Sequence, residues 1–148
     1  MATPCGVDHF YFSTQQPRLP PVENALIYFT PEEFRCKCGR PDCDAVRELS
    51  ADFGQLLDDL RRGLGRPVVV TSGLRCPKWN ERIGGDAKGG AHIRGYAVDL
   101  AVKNSSERFE VLRAVFGTRF FHRIGLGKTF IHLDTDPGLD QNVVWLYQ

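Results

Sequence analysis

The chain has 148 residues, 42% of them hydrophobic and 25% charged, with a formal net charge of +1. That length suits one compact domain with a core of its own, and so even a charge balance provides no global field to attract nucleic acid. No apolar run approaches the roughly 20 residues that a membrane-spanning helix needs.

Residues 1–28 contain Pro4, Pro17, Pro20 and Pro21 and read as an extended N-terminal arm. Phe10, Tyr11 and Phe12 suit that arm to docking, on this domain or on a larger particle. The first six residues lack the basic head and apolar block of a secretory signal, so synthesis in the cytoplasm is expected. Residues 29–148 form the main domain. Thr30, Pro31 and Glu33 mark a helix start: an N-cap, a first-turn proline and the acid of a capping box. Residues 44–63 carry the clearest helical pattern. Ala45, Val46, Leu49, Phe53, Leu56, Leu57 and Leu60 recur at three- and four-residue spacing, and Gly63 and Gly65 stop it. Arg61, Arg62 and Arg66 sit at that end, where cations meet the negative pole of the helix.

The β-branched run Arg66–Thr71 predicts a strand, and Pro77–Ile83 a turn or two of helix. Tyr96–Val102 alternates as a strand does, with Ala97, Asp99 and Ala101 on one face. Asn104 to Glu107 is a capping signature for a second long helix, with Phe109, Leu112, Val115 and Phe116 on its buried side. Ile124–Leu126, Phe130–Leu133 and Val143–Tyr147 are the remaining strands. Helices and strands in mixed order, with the later strands joined by short Gly/Pro turns, predict an α+β domain: an antiparallel sheet with helices packed on it.

Four residues then stand out for their chemistry. His92 lies in a glycine-rich segment seven residues before Asp99, with Gly95 allowing a tight turn between them. His132 and Asp134 are two apart on a strand, so both point to one side. Two imidazoles and one carboxylate are a common ligand set for catalytic Zn2+, which takes three protein ligands and keeps its fourth position free. His92, Asp99 and His132 are that expected set. Asp134 is expected nearby, either as a proton acceptor or as the partner that fixes a ligand ring. His9 and His122 have no partner at ligand spacing. Trp79, Tyr96 and Trp145 are aromatics for either the cleft or the core.

Five cysteines are an odd number for a disulfide scaffold. Cys36, Cys38 and Cys43 cluster, and Cys76 or Cys5 can supply a fourth thiol for a structural zinc site. One disulfide, such as Cys36 with Cys76, and a set of free thiols are the two rival readings.

Ser72-Gly73-Leu74-Arg75, Asn80, Gly84-Gly85, the His92-x-x-Gly95-x-Ala97-x-Asp99 block and Phe130-Ile131-His132-Leu133-Asp134 together resemble the M15 metallopeptidases. These include zinc D-alanyl-D-alanine carboxypeptidases and phage endolysins that cut peptidoglycan peptides. The resemblance covers roughly residues 28–147. It implies an M15 (hedgehog/DD-peptidase-like) architecture and zinc held by His92, Asp99 and His132. It also implies that Arg75 lines the cleft and holds a substrate carboxylate or carbonyl, a role its planar fork suits. Related peptidases carry a similar cysteine-rich turn after a Glu-Phe pair, here Glu33-Phe34. The chain departs from the family pattern twice. Gly90 stands where a serine is usual, and residues 126–130 contain no acid where many relatives place one. Asp134 is therefore the expected base or supporting carboxylate.

The expected activity is hydrolysis of a peptidoglycan peptide bond, either at D-Ala-D-Ala or within the stem peptide. Cytoplasmic synthesis without a signal fits a phage lysin acting at the wall after release, or a virion component carried on a phage tail through the N-terminal arm. The alternative is a zinc-containing module of the same fold that binds the wall or a protein without cutting it.

Overall fold

The computed structural model describes residues 26–86 and 88–148. The arm up to residue 25, with its aromatic triplet and Cys5, lies outside the described residues. Pro31–Phe34 form a short 3-10 helix, and the Glu33 carboxylate accepts the Thr30 backbone N–H at 2.9 Å, as the capping signature requires. The helices are α1 (Ala51–Leu64), α2 (Pro77–Arg82), α3 (Ala91–Arg94) and α4 (Ser105–Thr118). The strands are β1 (Val70–Ser72), β2 (Ala97–Ala101), β3 (Arg123–Leu126), β4 (Phe130–Asp134) and β5 (Val143–Leu146).

The strands form one sheet in the order β1-β2-β4-β3-β5. Three of its pairings are antiparallel, as expected, but β5 runs parallel to β3, so the sheet is mixed. The segment after β4 carries the chain back across the sheet, so β5 re-enters in the direction of β3 rather than as another hairpin arm. Alternation then sorts the side chains. Val98, Leu100, Ile131, Leu133 and Ile124 point to the face packed by Phe53, Leu57 and Leu60 of α1 and Val111 and Val115 of α4, and all ten are buried. The opposite face carries Asp99, His132, Arg123 and Trp145. The core thus occupies one side of the sheet and leaves the other for chemistry.

Two helices differ from expectation. α1 begins at Ala51, not near residue 44. Leu49 still packs against the core while Val46 is exposed, both on irregular chain that wraps Gly95. The Ser50 N–H donates to the Gly95 carbonyl at 2.8 Å and fixes that approach. In α4, Asn104 caps as expected, its side chain accepting the Glu107 N–H at 2.9 Å. The buried stripe is Val111 and Val115, however, while Phe109 and Phe116 are exposed at 67% and 59%. Arg108 decides the rotation: its guanidinium donates to the carbonyls of Gly127 and Lys128 at 2.7 and 2.6 Å, turning the 108–111–115 face to the sheet. The basic cluster at the end of α1 is absorbed locally, Arg66 pairing with Glu107 and Glu110 at 3.0 Å each.

Asp58 is a buried carboxylate on α1 that accepts the backbone N–H groups of Ile27 and Tyr28 at 2.6 and 3.1 Å, tying the start of the domain to its core. Its replacement leaves two donors unpaired. Asp58→Ala is expected to lower unfolding stability by about 2 kcal/mol in urea titrations. A change within about 0.5 kcal/mol, the range of ordinary surface substitutions, would show that this tie contributes nothing.

Candidate metal centre

Two devices deliver the three expected donors. Asp99 and His132 are direct cross-strand partners at the middle of β2 and β4, so register alone brings their side chains together. His92 comes from α3, one turn of helix instead of the loop expected from its glycines. That turn is held from several sides. The Arg75 N–H donates to the His92 carbonyl at 3.2 Å, and Arg94 binds the buried Asp136 through Nε at 2.7 Å. Gly95 closes the turn at φ +81°, a left-handed conformation that a side chain disfavours. A Cβ there would also stand 2.9 Å from the Glu48 carbonyl.

The donor atoms meet at one point. His92 Nε2 lies 3.2 Å from His132 Nδ1 and 3.3 Å from Asp99 Oδ1, and His132 Nδ1 lies 2.9 Å from Asp99 Oδ1. Donors arranged tetrahedrally at 2.0–2.2 Å from one ion stand about 3.3–3.6 Å apart. The spacing therefore needs only a few tenths of an ångström of adjustment.

The far side of each ligand settles which atom faces inward. His92 Nδ1 is 2.6 Å from the Gly73 carbonyl, which can only accept, so that nitrogen carries the proton and Nε2 presents a lone pair. His132 Nε2 donates to Asp134 Oδ2 at 2.8 Å, which leaves Nδ1 as the inward lone pair. Asp99 Oδ2 is held by Arg75 Nη2 at 2.5 Å, leaving Oδ1 inward. Two neutral imidazoles and a carboxylate thus aim three acceptors at one place with no donor among them. Such a buried arrangement repels itself unless a cation or a proton sits between. The chemistry of the donors fits a zinc ion, and the same supporting contacts orient ligands in metal proteins generally.

The titration directions agree. Burial opposes ionisation of Asp99, but the two imidazoles set against its Oδ1 outweigh it and hold the carboxyl well below the usual range. Burial also lowers His92. For His132 burial is opposed by Asp134 and Asp99, and the two carboxylates prevail, raising it.

Asp134 lies behind His132, away from the meeting point. It is 1% exposed, accepts the Asp136 N–H at 3.1 Å and sits 2.8 Å from Arg123 Nε, which is close but off the hydrogen-bonding line. Arg75 is also more enclosed than expected. Beyond Asp99 it donates to Ser72 Oγ at 2.8 Å and Asn80 Oδ1 at 3.1 Å. Burial lowers its basicity, which the Asp99 charge opposes. Gly90 starts α3, and a Cβ on it would lie 3.5 Å from Asn80 Nδ2, an ordinary contact, so nothing in the fold forbids the serine usual there.

Of the expected aromatics, only Trp145 reaches the centre, its ring 5.3 Å from that of His132. Trp79 instead stacks against Arg82 on α2, and Tyr96 precedes β2. His122 bonds Asn142 at 2.8 Å, apart from the centre. Sequence reasoning missed Tyr147, whose ring lies 6.2 Å from His132, and Arg123, which backs Asp134. The two-residue step from Trp145 would have placed Tyr147 on the same face. The cysteines also converge: Cys36, Cys38, Cys43 and Cys76 each bring Sγ within 4.8 Å of the other three.

Three protein donors, where structural sites use four, are the arrangement by which metal-dependent hydrolases keep a coordination position for substrate or water. The Peptidase M15 family model matches residues 27–134, and the chain belongs to that family. No curated protein matches it.

The geometry sets how metal affinity should vary. A proton on His132 Nδ1 competes with the ion, so zinc affinity measured by calorimetry should fall as the pH is lowered from about 8 to about 5. Asp134→Asn should weaken binding about 10- to 100-fold at fixed pH by loosening the tautomer of His132. Affinity unchanged by both would mean that the ion does not use Nδ1.

Proposed function

We propose that the chain is a zinc-dependent peptidase that hydrolyses peptide bonds of peptidoglycan. The observation that carries the metal dependence is the convergence of His92 Nε2, Asp99 Oδ1 and His132 Nδ1, each with its outer atom already bonded. Membership of the peptidase M15 family supports peptide hydrolysis. The choice of peptidoglycan rests on the resemblance of the His92–Asp99 and His132–Asp134 segments to wall-cutting carboxypeptidases and endolysins. On this reading the enzyme acts at the cell wall, after release or as part of a virion.

When bound, zinc supplies Lewis acidity toward the scissile carbonyl and toward water. The chain's own residues prepare that chemistry. His92 and His132 hold their rings in fixed tautomers through Gly73 and Asp134. Arg75, tied to Ser72 and Asn80, grips Asp99 Oδ2 and keeps Oδ1 turned inward. Its remaining N–H groups are the ones a substrate carbonyl or carboxylate can reach. Trp145 and Tyr147 form an apolar wall beside His132 against which a peptide can lie. Asp134 acts through His132, as a positioning residue: its carboxylate has no path to a substrate proton.

The second reading, a zinc-holding wall-binding module without hydrolysis, draws on the same enclosure of Asp134 and on the lack of any acid at residues 126–130.

Digestion of purified sacculi separates the two. The enzyme reading predicts new muropeptide termini by mass spectrometry, lost with a chelator and with His92→Ala. It also predicts a drop of about 10- to 100-fold in kcat/KM for Arg75→Lys, which keeps the charge but not the fork. Sacculi bound but uncut by the zinc-loaded chain would favour the module. Sacculi neither bound nor cut, with a peptide substrate hydrolysed instead, would keep the peptidase and discard peptidoglycan.

A further inference from the structure

Between the 3-10 helix and α1, residues 35–50 contain no helix or strand. So long an irregular stretch in a small domain needs something to hold its shape. It lies against the functional side of the molecule, with Val46 and Leu49 packed around Gly95 at the end of α3. It also contains Cys36, Cys38 and Cys43. The fourth thiol, Cys76, is fully buried and follows Arg75 directly.

None of these four cysteines is in a disulfide. All four sulfurs lie within 4.8 Å of one another. Thiolates at about 2.3 Å from a tetrahedral zinc ion stand about 3.8 Å apart, so the cluster is close to the size such an ion sets. Backbone donors are aimed at the sulfurs. The Arg40 N–H approaches Cys38 Sγ at 3.4 Å, and the Cys76 N–H approaches Cys36 Sγ at 3.3 Å. Gly39 makes the first of these possible: at φ +67° it folds the chain so that the amide two residues past Cys38 turns back on its sulfur. N–H groups directed at sulfur stabilise thiolate, the form that binds metal.

We propose that Cys36, Cys38, Cys43 and Cys76 hold a second, structural zinc ion that pins the 35–50 segment to the start of α2. Binding releases the four thiol protons and leaves a site of net charge −2, with Lys37, Arg40 and Lys78 adjacent in sequence. Four protein donors leave no position for substrate, so this ion does no chemistry. Its effect on the first centre is mechanical. It fixes the residue next to Arg75, and it fixes the segment that carries Val46 and Leu49 against α3. The inference stands independently of the hydrolytic reading, because it concerns metal held by other residues.

The test is metal content and cobalt spectroscopy on the reduced full-length chain. The zinc-reconstituted protein should contain two zinc ions per chain by atomic emission. His92→Ala/His132→Ala should retain one, and Cys38→Ser/Cys43→Ser should retain the other. Should the cysteine variant fail to fold, cobalt decides. Cobalt bound to His92→Ala/His132→Ala should give the intense near-ultraviolet charge-transfer absorption of thiolate ligation, which a nitrogen and oxygen site does not give. The proposal is overturned by no metal in the double-histidine variant, or by bound cobalt without thiolate absorption. Loss of hydrogens in the intact mass of the chain purified without reductant, with no zinc retained, would assign the cluster to disulfides instead.

Discussion

Three lone pairs aimed at one buried point are the constraint on which the site depends. His92, Asp99 and His132 contribute acceptors only, because Gly73, Arg75 and Asp134 have claimed their outer atoms. Without positive charge between them, three acceptors at 2.9–3.3 Å cost several kilocalories per mole in desolvation and repulsion. A fold that holds such a geometry rigidly stores binding energy for a cation. That is a stronger indication of metal than the identity of the residues, since His and Asp occur together in many ordinary polar clusters.

The rest of the molecule can be understood as the means of holding that point. The hydrophobic core lies entirely behind the sheet, so β2 and β4 are fixed in register by Val98, Leu100, Ile131 and Leu133, and the alternate residues are free for chemistry. Gly125, opposite His132 on β3, leaves space that any side chain would take from Trp145 and Tyr147: a Cβ there would come within 2.5 Å of the Tyr147 ring. α3, one turn long, has no intrinsic stability as a helix. It persists because Arg94, Gly95 and the Arg75 amide tie it to three separate parts of the chain.

The legible part of this was the part with local chemistry. The capping residues Glu33 and Asn104 and the alternation around Asp99 are rules of a few residues, and they hold. The pair His132–Asp134 was readable as one face of a strand, though not which of its two roles Asp134 would take. That depended on Arg123 and Asp136 closing behind it, and neither contact has a sequence signature. Long-range packing also defeated the helix readings. The apolar spacing from residue 45 onward is genuinely helical, but its first turn is spent wrapping Gly95. Phe109 and Phe116 match the period of α4, yet Arg108, a charged residue that periodicity ignores, sets its rotation. The parallel entry of β5 follows from chain reversal after β4, which no alternation records. Convergence of the cysteines is one of several options open in the sequence, because spacing cannot bring Cys76 to Cys36.

The central claim is tested most directly by anomalous diffraction from zinc-soaked crystals at the zinc edge. The account predicts a peak about 2.0–2.2 Å from His92 Nε2, His132 Nδ1 and an Asp99 oxygen together, with Asp134 remaining behind the His132 ring. A peak on the other nitrogen of either histidine, or none among these three side chains in crystals that carry zinc elsewhere, would contradict it.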